Sequence, residues 1–206
     1  MSINVCNNNS LSAITSIPTS ISGSALNLIA TSTASGASNV SFTSGIDSTY
    51  KEYIFKFYDM NPATDDSSFS FQASTNGGSS YGVTATTTAF VALNYEDDSD
   101  ASVSYSSNQD QAQSTGFINL AHAIGNGSDE SGSGTLHLFD PSNTTFVKHF
   151  ISRINSYHSG SRSYDNHRAG YLNTTSAINA IQFDFRKVSD GSSDNFDGII
   201  KLYGVS

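Results

Sequence analysis

Tryptophan is absent from the 206 residues, cysteine occurs once, methionine twice and proline three times. The lone Cys6 excludes an intramolecular disulfide, so a hydrophobic core must hold the fold, and a cytosolic folding compartment fits. Charge is scarce: Asp, Glu, Lys and Arg make up 13% of the chain. Long solvent-facing helices carry abundant Glu and Lys, so this scarcity disfavours them. Positive charge is scarcer still, with nine Lys and Arg against 18 Asp and Glu, a net charge of −9. Such a surface repels phosphates and argues against nucleic acid as a partner. Apolar runs are too short to cross a bilayer as a helix, so no membrane partner is expected. The first residues lack a basic stretch followed by an apolar run, so no secretory signal is expected either. The phosphate-loop and dinucleotide-loop patterns are missing.

What remains is polar, small and aromatic. Thirteen Phe and ten Tyr sit among Ser, Thr, Asn and Gly, a composition suited to strands and turns. The stretch Phe42 to Tyr81 carries the clearest pattern. Tyr53, Phe55 and Phe57 alternate with Ile54, Lys56 and Tyr58, and Phe69 and Phe71 alternate with Ser68, Ser70 and Gln72. Period two places each set on one face of a sheet. Between them, Asp59 to Asp66 is dense in turn formers, so the two read as neighbouring core strands. Similar alternation predicts strands over 39–43, 84–93, 102–106, 134–140, 144–156, 167–173, 180–187 and 197–204. The turn at Asp140 to Asn143 predicts a hairpin. The spacing of Ala112, Phe117, Leu120, Ala121 and Ile124 fits a helix, and a strand through 117–121 nearly as well. The expected fold is all-β: a single jelly-roll-like antiparallel β-sandwich over 39–206 with an extended N-terminal arm over 1–38.

The arm has no charged residue before Asp47 and only scattered apolar ones, Ile14, Ile17, Ile21, Leu26, Leu28 and Ile29. Disordered segments usually carry charge, so this arm is expected to lie on a neighbouring subunit or along its own sandwich. A second candidate contact region is Lys148 to Tyr171, which gathers Arg153, Tyr157, Arg162, Tyr164 and Arg168 and is read as a strand-flanked loop over 155–166. Arg and Tyr are favoured at interfaces, and Tyr beside polar groups also suits sugars.

Chemistry-bearing residues are dispersed. Asp190, Asp194 and Asp197 miss the spacing of a calcium loop and read as a solvated turn. No two of the five histidines are two residues apart, as a strand-borne metal pair would be, although His137 and His149 would face each other across the predicted hairpin. No catalytic residue, cofactor or metal is assigned, and the chain is expected not to be an enzyme.

Four phrases are long enough to carry a resemblance: SGIDSTYKEYIFKFYDMNPATDDSSFSFQAS, DQAQSTGFINLAHAIGNGSDESGSGTLHLFDPSNTTFVKHF, AGYLNTTSAINAIQFDF and GIIKLYGV. Over about residues 40–206 the chain resembles a group of virion structural proteins of tailed phages of marine and freshwater bacteria, cyanophages included. The resemblance implies a non-enzymatic structural part of the virion, made in the host cytoplasm, with other virion proteins (the major capsid protein or tail components) as partners. The first expectation is a homo-oligomeric, for instance trimeric, capsid decoration or cement protein. The alternative is a tail-fibre or tail-tip module that binds host-surface glycans.

Overall fold

A computed structural model describes residues 25–206. Among them there is no helix, and the thirteen strands pair antiparallel throughout. The strands are β1 (Leu26–Ala37), β2 (Val40–Phe42), β3 (Glu52–Pro62), β4 (Ser67–Ser74), β5 (Ala85–Tyr95), β6 (Ala101–Tyr105), β7 (Ile118–Ile124), β8 (Gly132–Phe139), β9 (Lys148–His158), β10 (Arg162–Leu172), β11 (Ala180–Lys187), β12 (Ser193–Asp194) and β13 (Phe196–Val205). Eight of them run side by side in the order β1-β13-β3-β8-β9-β10-β5-β6 and form a large curled layer. The second layer is β7-β4-β11, with short β2 and β12 on the far edge of β11. One residue pair, Ile124 with His158, links the two layers by backbone pairing. The expected all-β, jelly-roll-like sandwich is the fold observed.

The core lies where the aromatic faces meet. Tyr53, Phe55 and Phe57 of β3 point inward and are fully buried, as are Phe69 and Phe71 of β4 and Phe183 and Phe185 of β11. Phe183 is the hub, with ring centroids of Phe55, Phe57 and Phe69 at 5.0, 5.2 and 5.7 Å. Phe150 of β9 meets Phe71 edge-on at 5.2 Å and carries the contact to the far side of the large layer. Edge-to-face geometry satisfies the ring quadrupoles and adds to the burial of apolar area.

One expectation changes, and two that left alternatives open are decided. First, β3 and β4 are not sheet neighbours: the edges of β3 are taken by β13 and β8, and those of β4 by β11 and β7. The connection between them crosses from one layer to the other, so that Phe57 meets Phe69 across the core at 5.0 Å. Side by side, both aromatic faces would still need a cover, whereas facing each other they cover one another. Asp59 and Asp66, at φ 52° and 61°, take left-handed backbone at the two ends of this corner, a conformation Asp tolerates. Second, the segment expected as an arm enters the fold at Leu26. Strand β1 pairs with β13 along its length, from Leu26 opposite Val205 to Ala37 opposite Phe196, so Leu26, Leu28 and Ile29 belong to an edge strand along the chain's own sheet. Ile14, Ile17 and Ile21 lie outside the described residues. Third, the ambiguous segment at 118–124 is strand β7, beside β4.

Where β13 passes β3 the register slips between Asp197 and Ile199. Gly198 there has φ +144°, and a Cβ on it would meet the Met60 sulfur at 2.7 Å, so only glycine fits this bulge.

Candidate functional site

The region expected as a loop over 155–166 is two long strands, β9 and β10, joined by a turn at 159–161 and paired over their whole length. Period two therefore sorts its side chains. Arg153, Asn155 and Tyr157 face outward on β9, while Tyr164, Asn166 and Arg168 face inward on β10. Tyr164 and Arg168 are 6% and 1% exposed, so these two candidate contact residues sit in the interior of the folded chain. Arg153 lies on the surface in a bidentate pair with Asp165, at 3.1 Å from Nε and 2.7 Å from Nη2, which holds the Asp165 carboxyl below its ordinary range. The Tyr157 hydroxyl donates to Glu96. Arg162 is half-buried: it donates to the Tyr95 hydroxyl and spans the rings of Tyr95 and Tyr164.

Arg168 is the centre of a buried polar layer. Its guanidinium donates to the carbonyls of Phe90 and His167 and to the side-chain oxygens of Gln109, Asn119 and Asn166. All five acceptors are neutral, and desolvation pushes its pKa down to about 10. Asn166 in turn accepts from the His122 backbone N–H, so the free edge of β7 is closed by an inward side chain of β10. Ser68 and Ser70 alternate with Phe69 and Phe71 and so face away from the aromatic core. Over them lies the segment 106–117, leaving a cavity of about 380 Å³ whose walls include Gln109, Gln111, Asn119, His122, Arg186 and Lys187. Arg186 stacks on the Phe117 ring at 3.6 Å and pairs with Asp184 at 2.8 Å.

One Ser–His contact borders this cavity, Ser68 Oγ to His122 Nδ1 at 3.1 Å. Ser68 Oγ also accepts from the Ala123 N–H, and burial lowers the His122 pKa, so the pair reads as a buried strand-to-strand tie. The other histidines are also placed by structure. His137 contacts Glu52 at 2.6 Å, His149 lies edge-on to Tyr171, and His167 stacks on Phe90. His137 and His149 do not face each other, because the register of β8 with β9 sets His137 opposite Ile151. The β8–β9 hairpin itself is as expected, with a longer connection over 140–147.

The acidic turn separates into independent roles. Asp194 accepts from the Thr64 N–H and from the hydroxyls of Thr64 and Ser67, Asp197 accepts from the Gly36 N–H, and Asp190 from the Ser192 N–H. Among the described residues no three His, Cys, Asp or Glu side chains converge as a metal site.

The outer face of the large layer carries an apolar groove. Two adjoining cavities, of about 470 and 590 Å³, share Phe139 and His149 as walls. Ile151, Tyr171 and Thr86 continue the first, and Phe146 and Val147 the second. Phe146 is 68% and Ile151 54% exposed, large for side chains of that kind. Period two alone decides the outward turn of Ile151: Phe150 and Ser152 point inward, so the residue between them must point out. No family model, curated protein or solved structure matches the chain.

Proposed function

We propose that this chain is a non-enzymatic virion structural protein, in the role of a capsid decoration or cement protein whose outer sheet face rests on other virion proteins. The observation that carries the reading is the exposed apolar groove at Phe139, Phe146, His149 and Ile151 on a rigid antiparallel sheet. Contiguous exposed apolar surface of this kind marks contact with another macromolecule. The titratable groups described above serve strand ties and ion pairs, which suits a part that makes contacts. Binding only the assembled shell would stabilise it by linkage, and several copies related by closed symmetry fit such a surface. The resemblance of residues 40–206 implies a part of the virion, and copy number per particle separates the head from the tail-tip alternative.

The test is incorporation. Phe146→Asp combined with Ile151→Lys should leave the melting temperature nearly unchanged, since both side chains are exposed. The same double variant should lose occupancy in purified particles, and the wild-type chain should be present in proportion to the head subunits. Full occupancy by the double variant, or a copy number of only a handful per particle, would refute the proposal.

A further inference from the structure

The large layer ends on β6, and that edge is left open. Among the described residues β6 pairs with β5 alone. Proteins blunt free edges with charge, proline, bulges or short strands. The other edges follow that rule. Strand β1 shifts register twice along β13, between Leu28 and Ala30 and between Ala34 and Ala37. Strands β2 and β12 are three and two residues long, and Asn166 closes β7. Strand β6, from Ala101 to Tyr105, has no charge, no proline and no break in its register.

The register decides which groups this edge offers. The Tyr95 N–H donates to the Asp100 carbonyl and the Ser106 N–H to the Ala89 carbonyl. Residues of an antiparallel ladder alternate, so Ser102 and Ser104 turn their backbone groups toward β5. Ala101, Val103 and Tyr105 turn theirs toward the free edge. Val103 and Tyr105 lie opposite Ala92 and Phe90 on the outer face, because Ala89 and Val91 point inward. Val103 is 74% exposed.

We infer that β6 pairs antiparallel with β6 of a second copy, about a two-fold axis at Val103. In that register Val103 faces its own counterpart, and the small Ala101 faces Tyr105 of the second copy. Every free-edge N–H of both copies then meets a carbonyl, whereas a shifted register leaves some unmet. Strand β1 of the second copy is a poorer match, since its bulges interrupt the row of hydrogen-bonding groups. Charge is confined to the ends: Glu96, Asp97, Asp98 and Asp100 before β6 and Asp110 after it, with Arg162 against Tyr95. Each copy carries a net charge of −9, so these carboxylates oppose the pairing and added salt should tighten it. The edge lies apart from the apolar groove, and the inference does not depend on the contact role proposed above.

Sedimentation equilibrium of the full chain tests it. The wild type should dimerise in the micromolar range expected of a small interface, and more tightly at high salt. Val103→Pro removes a free-edge N–H without touching the ladder to β5. It should weaken dimerisation about tenfold or more with little change in melting temperature. Val103→Glu sets like charges opposite one another at an exposed position, and keeps the test open if the proline variant folds poorly. Val103→Thr, and the double variant of Phe146→Asp with Ile151→Lys, should dimerise like wild type. A wild type that stays monomeric through the micromolar range, growth beyond a dimer, unchanged dimerisation in both Val103→Pro and Val103→Glu, or its loss in the groove variant would overturn the inference.

Discussion

Replacing Phe183 by alanine removes the ring on which the two layers converge. Phe183 is fully buried on β11 of the small layer, and its ring lies within 6.4 Å of those of Phe42, Phe55, Phe57, Phe69 and Phe71. A buried Phe→Ala change costs about 3–5 kcal/mol, from lost transfer energy and the cavity left behind. Here the upper part of that range applies, because the five neighbouring rings are held by two different layers and are poorly placed to collapse into the void. For a chain of this size, about 3–5 kcal/mol corresponds to a drop of roughly 6–20 °C in melting temperature. Urea unfolding followed by far-ultraviolet circular dichroism measures the loss, with the slope checked for constancy. The control is Phe90→Ala, a residue 44% exposed that stacks on His167 at the surface, for which a loss below about 1 kcal/mol is expected. A loss below about 1 kcal/mol for Phe183→Ala, or equal losses for both variants, would refute the two-layer core as described.

His158 should impose an acid limb on stability. The Gly160 N–H donates to its Nδ1 and the Arg162 guanidinium lies 2.9 Å from its Nε2, so a second ring proton would displace the Gly160 bond and stand beside a cation. Burial first, then the charge of Arg162, push its pKa down to about 4 from 6.5. The unfolded chain therefore protonates before the folded one, and stability is full above 6.5 and falls as pH drops toward 4. Urea midpoints for His158→Gln should decline less steeply in that window, and parallel curves would contradict the assignment. Deleting residues 1–24 should leave the cooperative melt intact while lowering incorporation into particles. Deletion through Ser38 also removes β1, uncovers the edge of β13 and should give a lower melting temperature and aggregation on gel filtration; identical melts for the two truncations would show that β1 contributes nothing.

Parts of the fold were legible in the residues. The alternation in β3, β4 and β11 announces strands whose aromatic face is buried, and those faces are the core. The apolar groove was less visible, because an outward Ile151 or Phe146 reads like any other apolar residue until the register of β9 is known. Arg168 was misplaced for a related reason. Its inward neighbours Tyr164 and Asn166 keep period two, but the pattern is polar, and polar alternation resembles a loop.

The chain order of small, polar and aromatic residues by itself determined that the protein would be built of strands, since period two and turn formers act over a few residues. It also determined which aromatic face each strand would bury. Only the tertiary structure decided that β3 and β4 would face each other across the core, that β1 would close on β13, and that the buried Arg168 guanidinium would gather five neutral acceptors. Those outcomes rest on contacts between residues far apart in the chain, where the competition for strand edges and for buried hydrogen-bond partners is settled globally.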